Sequence, residues 1–324
     1  MSKVLVVSNE AEDAHVHGLV AELEKLGHPW TLIDPGDFPQ SLSFSARLDD
    51  QSKESSLFLN NGTRLLLEDI TSVWYRRPTP IAPNEHLSPL EKTFIEREAN
   101  AGLWGWLRGL HAFWVNHPDA IRAAGHKPQQ LQLAQSLGLA IPKTLLTSEP
   151  EAFKRFYAEC NGQVIYKLMG YPWYKDSADL PISTYTALVP EEMFDQAHRI
   201  AATAHLFQAF VDKRCDLRAI IIGNEVFVTE IYPLSEKTRV DFRADYSALR
   251  YAPHCQLPGA LREALLAINR YYHLAYSAID LVYTPDERYV FLELNAVGQF
   301  GWLEGHTGIP LYATLAKLLT EHAH

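Results

Sequence analysis

The chain is poor in sulfur, with three cysteines and three methionines in 324 residues. Cys160, Cys215 and Cys255 stand too far apart for a disulfide framework or a zinc pair, which excludes a cystine-stapled domain and fits a reducing, cytoplasmic setting. No apolar run approaches the ~18 residues that crossing a bilayer takes, so no membrane partner is expected. The apolar stretch Val4-Leu5-Val6-Val7 is too short for a secretory signal and reads as a first strand. Basic residues are also in deficit, 29 Lys and Arg against 39 Asp and Glu, for a net charge of −10. That balance speaks against nucleic acid as the main partner, because phosphates want a basic surface. It is compatible with a basic or neutral peptide and leaves room for a local basic pocket. The 14 histidines are scattered, and neither His15/His17 nor His111/His117 has a metal-ligand context. Internal repeats and low-complexity segments are missing as well.

What is present is ordinary globular material, 47% hydrophobic and 21% charged, in a length that implies two or three domains. The opening reads strand, helix, strand: Val4–Val7, then 12–26 with Val16, Leu19, Val20, Leu23 and Leu26 at helical spacing and Gly27 as its stop, then Trp30–Ile33. Leu57–Leu59 and 64–67 flank Asn61-Gly62, the strongest hairpin-turn signal in the chain. Ile70–Tyr75 reads as a strand and 88–110 as one long amphipathic helix. Lys127 opens a helix running to Leu137. The middle predicts strands over 163–168, 183–189 and 205–211, a loop over 169–180 and a helix over 191–203. Asp216–Ile222 and Glu225–Ile231 form a ribbon across Gly223-Asn224, a helix carries Leu261 to Tyr272, and a last helix spans 308–319. The fold class is mixed α/β and α+β: an N-terminal open α/β domain over 1–115, a small central α+β domain over 116–210 and a sheet-containing C-terminal domain over 211–324.

The segment that carries chemistry is Ala278-Ile279-Asp280-Leu281-Val282-Tyr283, a turn, and Tyr289-Val290-Phe291-Leu292-Glu293-Leu294-Asn295. Alternation puts Glu293 and Asn295 on one face of their strand and Leu292 and Leu294 on the other. A turn centred near Asp286-Glu287 brings Asp280 opposite Glu293 within about a residue of register. Three oxygen donors then converge, and unpaired carboxylates there would repel each other. A hard cation such as Mg²⁺, carried by a nucleotide's phosphates, resolves the conflict. A solvated hairpin edge with incidental acids is the alternative, and spacing leaves both open. Lys167 ends an apolar strand, Lys127 begins a helix whose N–H groups would help it hold an anion, and Arg218 shares a face with Asp216.

Four stretches resemble the ATP-grasp superfamily, and within it the microviridin-type (graspetide) ribosomal-peptide macrocyclases. These are Val73-Trp74-Tyr75-Arg76-Arg77-Pro78; Asn116 to Lys127 with Leu131, Ala134, Gly138-Leu139 and Ile141-Pro142-Lys143-Thr144; Gln208-Ala209-Phe210-Val211 with Asp216-Leu217-Arg218; and Ala278–Asp280 with Phe291 to Phe300. The resemblance implies an ATP-grasp architecture, ATP and Mg²⁺ as cofactors, and a ribosomal precursor peptide with a leader segment as partner; a homodimer is left open. It implies that Lys127 and Lys167 hold phosphates, that Gln208 and the backbone of Ala209 and Val211 read adenine, and that Asp216 accepts from the ribose. Asp280, Glu293 and Asn295 would be the metal ligands, and Arg218 with Arg239 or Arg243 would act on the transferring phosphoryl group or the substrate carboxylate. Trp173, Tyr174, Asp176, Asp179, Arg76 and Arg77 are candidates for leader or substrate contact.

Two departures stand out. Leu168-Met169-Gly170-Tyr171-Pro172-Trp173 lacks a glycine-rich phosphate flap, and Asn295-Ala296 replaces the commoner Asn-Pro. The implied activity phosphorylates an Asp or Glu side chain and joins it to a Lys amine or a Ser/Thr hydroxyl. A ligase of small amino acids and a non-catalytic nucleotide-binding regulator are the competing expectations.

Overall fold

Val4–Val7 is apolar at every position because both of its faces are covered, as expected of a parallel strand. In the computed structural model, Val4 and Val6 enter one core cluster while Leu5 and Val7 enter another. The structure describes all residues except 1, 2, 52, 171, 172, 176–180, 184, 185, 255, 323 and 324, with side chains left aside at 173–175 and 181–183. The first strand, Lys3–Val7, lies between Trp30–Ile33 and Ile70–Tyr75, and Phe113–Val115 completes a four-stranded parallel sheet. The helix expected over 12–26 spans His15–Lys25, and Gly27 follows it at φ +64°, a left-handed value that suits glycine.

The hairpin around Asn61-Gly62 forms as read, pairing Leu57 with Leu65. Its sheet has a third strand, Leu42–Leu48, that the sequence does not announce; beyond Leu42 and Phe44 its residues are exposed, so no period-2 apolar pattern marks it. The long helix begins at Pro89 under a Ser88–Glu91 capping box and continues through a wider π segment, Asn100–Trp104, to Arg108.

Two antiparallel sheets face each other in the rest of the chain. One has the order Ala187–Leu188, Val164–Lys167, His205–Ala209, Thr144–Thr147; the other runs Leu249–Pro253, Glu225–Pro233, Cys215–Ile222, Tyr276–Tyr283, Tyr289–Asn295. Alternation divides their side chains. Val164 packs against Phe153 and Phe156, while Ile165 and Lys167 line the cleft on the other side. Along Cys215–Ile222, Cys215, Leu217, Ala219 and Ile221 join a core with Leu131, Leu265 and Ile268. On the opposite face Asp216 lines the cleft, Arg218 pairs with Asp280, and Ile220 and Ile222 pack with Val4, Val6, Trp74 and Leu315. The N-terminal sheet and the C-terminal sheet therefore share one core.

Several expectations change. Within the stretch read as a loop, Trp173–Lys175 pairs antiparallel with Pro181–Ser183, a partner that local sequence does not reveal. The helix read over 191–203 divides into Glu192–Asp195 and a 3₁₀ segment, Ala197–Ala202. A helix at Gly301–Thr307 fills the turn after the Asp280–Glu293 hairpin; it ends at Gly308 (φ +71°), so the last helix starts at Leu311 instead of Gly308.

Candidate active site between two sheets

Asp280 and Glu293 are direct partners across the hairpin, as the turn position implies. The register shifts between Asp280 and Leu281, so that Leu281 pairs with Phe291 and Leu292 is the extra residue of a bulge. The bulge re-aims a side chain. Leu292, expected opposite Glu293, lines the same cavity as Glu293, Asp280 and Val282. Asn295 pairs with Ala278, is exposed, and accepts a hydrogen bond from Val297 N–H at 3.1 Å.

Two lysines approach Glu293 from other elements. Lys127, at the first turn of the helix Lys127–Ser136, places Nζ 3.0 Å from Glu293 Oε2 and donates to the Leu168 carbonyl at 2.7 Å. Lys167 is buried and forms no ion pair among the described residues. Burial depresses its ammonium pKa, and the Glu293 charge counters that. Burial pushes the Glu293 carboxyl up, but Lys127, Lys167 and Arg243 outweigh it and bring the group down to about 2. Asp280 is raised by burial, against the pull of Arg218. Arg218 Nη1 lies 2.8 Å from both Asp280 oxygens, its register partner, and Nη2 donates to the Gln299 carbonyl at 3.2 Å.

Of the two alternative arginines, Arg243 lines the cavity, where it is held by Asp241 (2.9 and 2.6 Å), whereas Arg239 pairs with Asp212 and does not line it. Asp216 lines the cavity but is gripped by Lys213 Nζ at 2.9 and 2.7 Å; burial lifts its carboxyl to about 6 despite that partner. Ala209, Phe210 and Val211 form the opposite wall. The N–H groups of Ala209 and Phe210 donate to Lys143 and Gln163 carbonyls at 2.9 and 2.8 Å. Gln208 is fully buried; its Nε2 donates to Thr144 Oγ1 at 3.0 Å and its Oε1 has no partner among the described residues.

Arg76, a candidate for leader or substrate contact, lies inside the fold. It is 3% exposed, and its guanidinium is engaged by Asp13 and the carbonyls of Val297 and Gly298. Arg77 is exposed. Trp173 and Tyr174 lie on the small hairpin, and Asp176 and Asp179 fall outside the described residues.

Sequence reading missed Lys213 and Gln130. Lys213 is one of three consecutive charges, Asp212-Lys213-Arg214, in a loop, and nothing in their order singles it out. Gln130 is a buried amide on a helix with no apolar signature, and it clamps Leu294 between Glu293 and Asn295.

The cavity is narrow, about 60 Å³, and a larger one of about 1190 Å³ beside Phe113 and Lys317 contains none of these residues. The narrow cavity is the better candidate, because perturbed, opposed charges mark function more reliably than volume does. Among the described residues, no three His, Cys, Asp or Glu side chains group as a metal site. Asp280 and Glu293 line the cavity and Asn295 does not, so the donors on the cavity wall are two carboxylates, chemistry that fits a hard cation taking its remaining oxygens from phosphate and water.

Comparisons with known proteins bear on the fold that carries this cavity. An MvdD pre-ATP grasp domain matches residues 3–122 and a RimK-like ATP-grasp domain matches residues 185–319. A RiPP-associated ATP-grasp ligase of Chryseobacterium gregarium, in complex with ADP and a leader and core peptide, is 26% identical with a TM-score of 0.90, covering 99% of this chain and 97% of its own. The macrocyclase MdnC of Microcystis aeruginosa, bound with precursor peptide MdnA, is 27% identical with a TM-score of 0.86, covering 98% and 99%. MdnB of the same organism is 26% identical with a TM-score of 0.80, covering 98% and 99%. No curated protein sequence matches.

Proposed function

We propose that this chain, an ATP-dependent ligase of the ATP-grasp superfamily, closes rings in a ribosomally made precursor peptide by joining an Asp or Glu side chain to a Lys amine or a Ser/Thr hydroxyl. The observation that carries the reading is the register pair Asp280–Glu293, set against Lys127 and Lys167 in the cleft between two sheets. A carboxylate is a poor electrophile. ATP with Mg²⁺ supplies the phosphoryl group that makes it one: a peptide carboxylate oxygen takes the γ-phosphoryl group, ADP leaves, the amine or hydroxyl attacks the acyl carbon, and phosphate departs. The protein's share is placement and charge neutralisation.

Asp280, Glu293 and Asn295 would hold Mg²⁺, and Lys127 and Lys167 the phosphates. Lys167 suits that role, since a buried ammonium with no carboxylate bonded to it among the described residues gains most from an incoming anion. The Ala209 N–H is committed to Lys143, so adenine recognition from that residue would use its carbonyl, with Val211 beside it and Gln208 Oε1 behind. Asp216 would meet the ribose by exchanging its bond to Lys213. Arg218 and Arg243 would steady the charge that moves between carboxylate and phosphate. The leader would dock at the hairpin Trp173–Lys175 with Pro181–Ser183; the Chryseobacterium ligase, solved with a leader peptide, supports that segment class as the partner.

The test is to incubate the protein with ATP, Mg²⁺ and a precursor peptide encoded beside it. ADP release that depends on the peptide, with loss of one water per ring, is the expected result. ADP release with free amino acids alone would replace this reading with a small-molecule ligase, and nucleotide binding without turnover would replace it with a regulator.

A further inference from the structure

Each of five successive residues after the strand that carries Glu293 and Asn295, Val297 to Gly301, has a backbone group held by a side chain from elsewhere in the chain. Arg76 Nη1 donates to the carbonyls of Val297 and Gly298, the latter at 3.0 Å. Tyr276 Oη donates to the Gly298 carbonyl at 2.7 Å, and Arg218 Nη2 donates to the Gln299 carbonyl. The N–H groups of Phe300 and Gly301 both donate to His15 Nε2 at 3.0 Å. Two donors on Nε2 leave the His15 proton on Nδ1, which gives it to Asp13 Oδ1 at 2.6 Å. The other Asp13 oxygen receives Arg76 Nε at 2.9 Å.

The turn lies hard against the reaction face. A Cβ on Gly298 would sit 2.4 Å from Ala278 Cβ and 2.7 Å from Arg218 Nη2, so no side chain fits. Arg218 is shared: one nitrogen holds Asp280 and the other holds the turn.

We propose that Asp13, His15 and Arg76 are positioning residues for the ligation reaction, locking the turn 297–301 to the N-terminal parallel sheet and, through Arg218, setting the Asp280 carboxylate. This rests on the proposed function only in naming Asp280 as part of the reaction site. A buried Asp13–Arg76 ion pair with His15 on the second carboxylate oxygen is a costly way to fill a core, since apolar side chains of similar volume stabilise as well or better. Arg76 even keeps Nη2 buried without a partner among the described residues. What such a network secures is one geometry, because each member is oriented by the next. None of the three lines the cavity, so they act through the turn and not on substrate.

The experiment compares His15→Leu and His15→Gln in the full-length protein by amide hydrogen exchange without nucleotide, and by kcat and KM for ATP and for the precursor peptide. Glutamine can present an acceptor oxygen where Nε2 sits; leucine cannot. With His15→Leu, exchange at Phe300 and Gly301 should quicken about tenfold or more while the central sheet is unchanged. The same variant should lose about tenfold or more in kcat with ATP KM held within roughly twofold. His15→Gln should recover most of both. Unchanged exchange at 300–301, or equal kcat losses for Gln and Leu, overturns the proposal. Should His15→Leu not fold, Arg76→Lys takes its place with the same two readouts. The exchange result decides the clamp by itself, whereas absence of peptide-dependent turnover in the unmodified protein sinks the ligase reading alone.

Discussion

Gln130 grips both backbone groups of Leu294: its Nε2 donates to the carbonyl at 2.9 Å and its Oε1 accepts from the N–H at 2.8 Å. Leu294 lies on an edge strand, and the amide thus stands in for a neighbouring strand between Glu293 and Asn295. A third bond, from Nε2 to the Ala124 carbonyl at 2.6 Å, ties the grip to the preceding helix.

Gln130→Ala leaves the Leu294 N–H buried without a partner. We expect a loss of about 1–3 kcal/mol in denaturant unfolding. Turnover should fall further than stability does, because the strand that carries Glu293 loses its brace. A variant with unchanged midpoint and unchanged kcat would show the clamp to be idle.

Glu293→Gln keeps the shape and removes the charge that Lys127 and Lys167 face. ATP-dependent turnover should drop about 100-fold or more while circular dichroism stays that of the unmodified protein. Wild-type turnover in this variant would remove Glu293 from the metal assignment.

The same substitution reads out a pH effect. Glu293 is held at about 2, below its ordinary 4.5, so its ionised form stabilises the fold above pH 4.5 and that contribution vanishes as pH falls toward 2. In nucleotide-free protein, the stability advantage over Glu293→Gln should be at most about 3 kcal/mol near pH 5. It should shrink steadily on acidification. An advantage that is flat between pH 5 and 2.5, measured by urea unfolding, contradicts the charge pairing.

Arg218→Ala strands Asp280 in a buried site. Breaking one side of a buried pair costs about 3–5 kcal/mol, which the urea midpoint will report. Arg218→Ala combined with Asp280→Ala should recover part of that stability but none of the turnover. Full additivity of the two single losses would mean that they do not interact.

Much of the site was legible because strand alternation and turn chemistry are local. Asp280 opposite Glu293 follows from the hairpin's turn, and Ile70–Tyr75 follows from apolar content and β-branching. The bulge at Leu292 was not legible, since it arises where two strands of unequal path must stay paired. Nor was the partner of Trp173–Lys175, whose pairing strand is itself short and unpatterned. Arg76 and Arg77 read alike, as candidates for leader or substrate contact; that the first is buried and the second exposed depends on what the strand end packs against.

From its residue order alone, this chain determined the strands of its main sheets, the end of its first helix and the acids of the Asp280–Glu293 hairpin, because those depend on periods of two and 3.6 residues and on glycine and proline. Only the tertiary structure decided which charges meet: Lys127 with Glu293, Arg218 with Asp280 and the 297–301 turn, and Asp13 with His15 and Arg76. Apart from the neighbours Asp13 and His15, those contacts join residues at least 62 positions apart. Burial sets their strength, and no local pattern encodes burial between two sheets that have yet to meet.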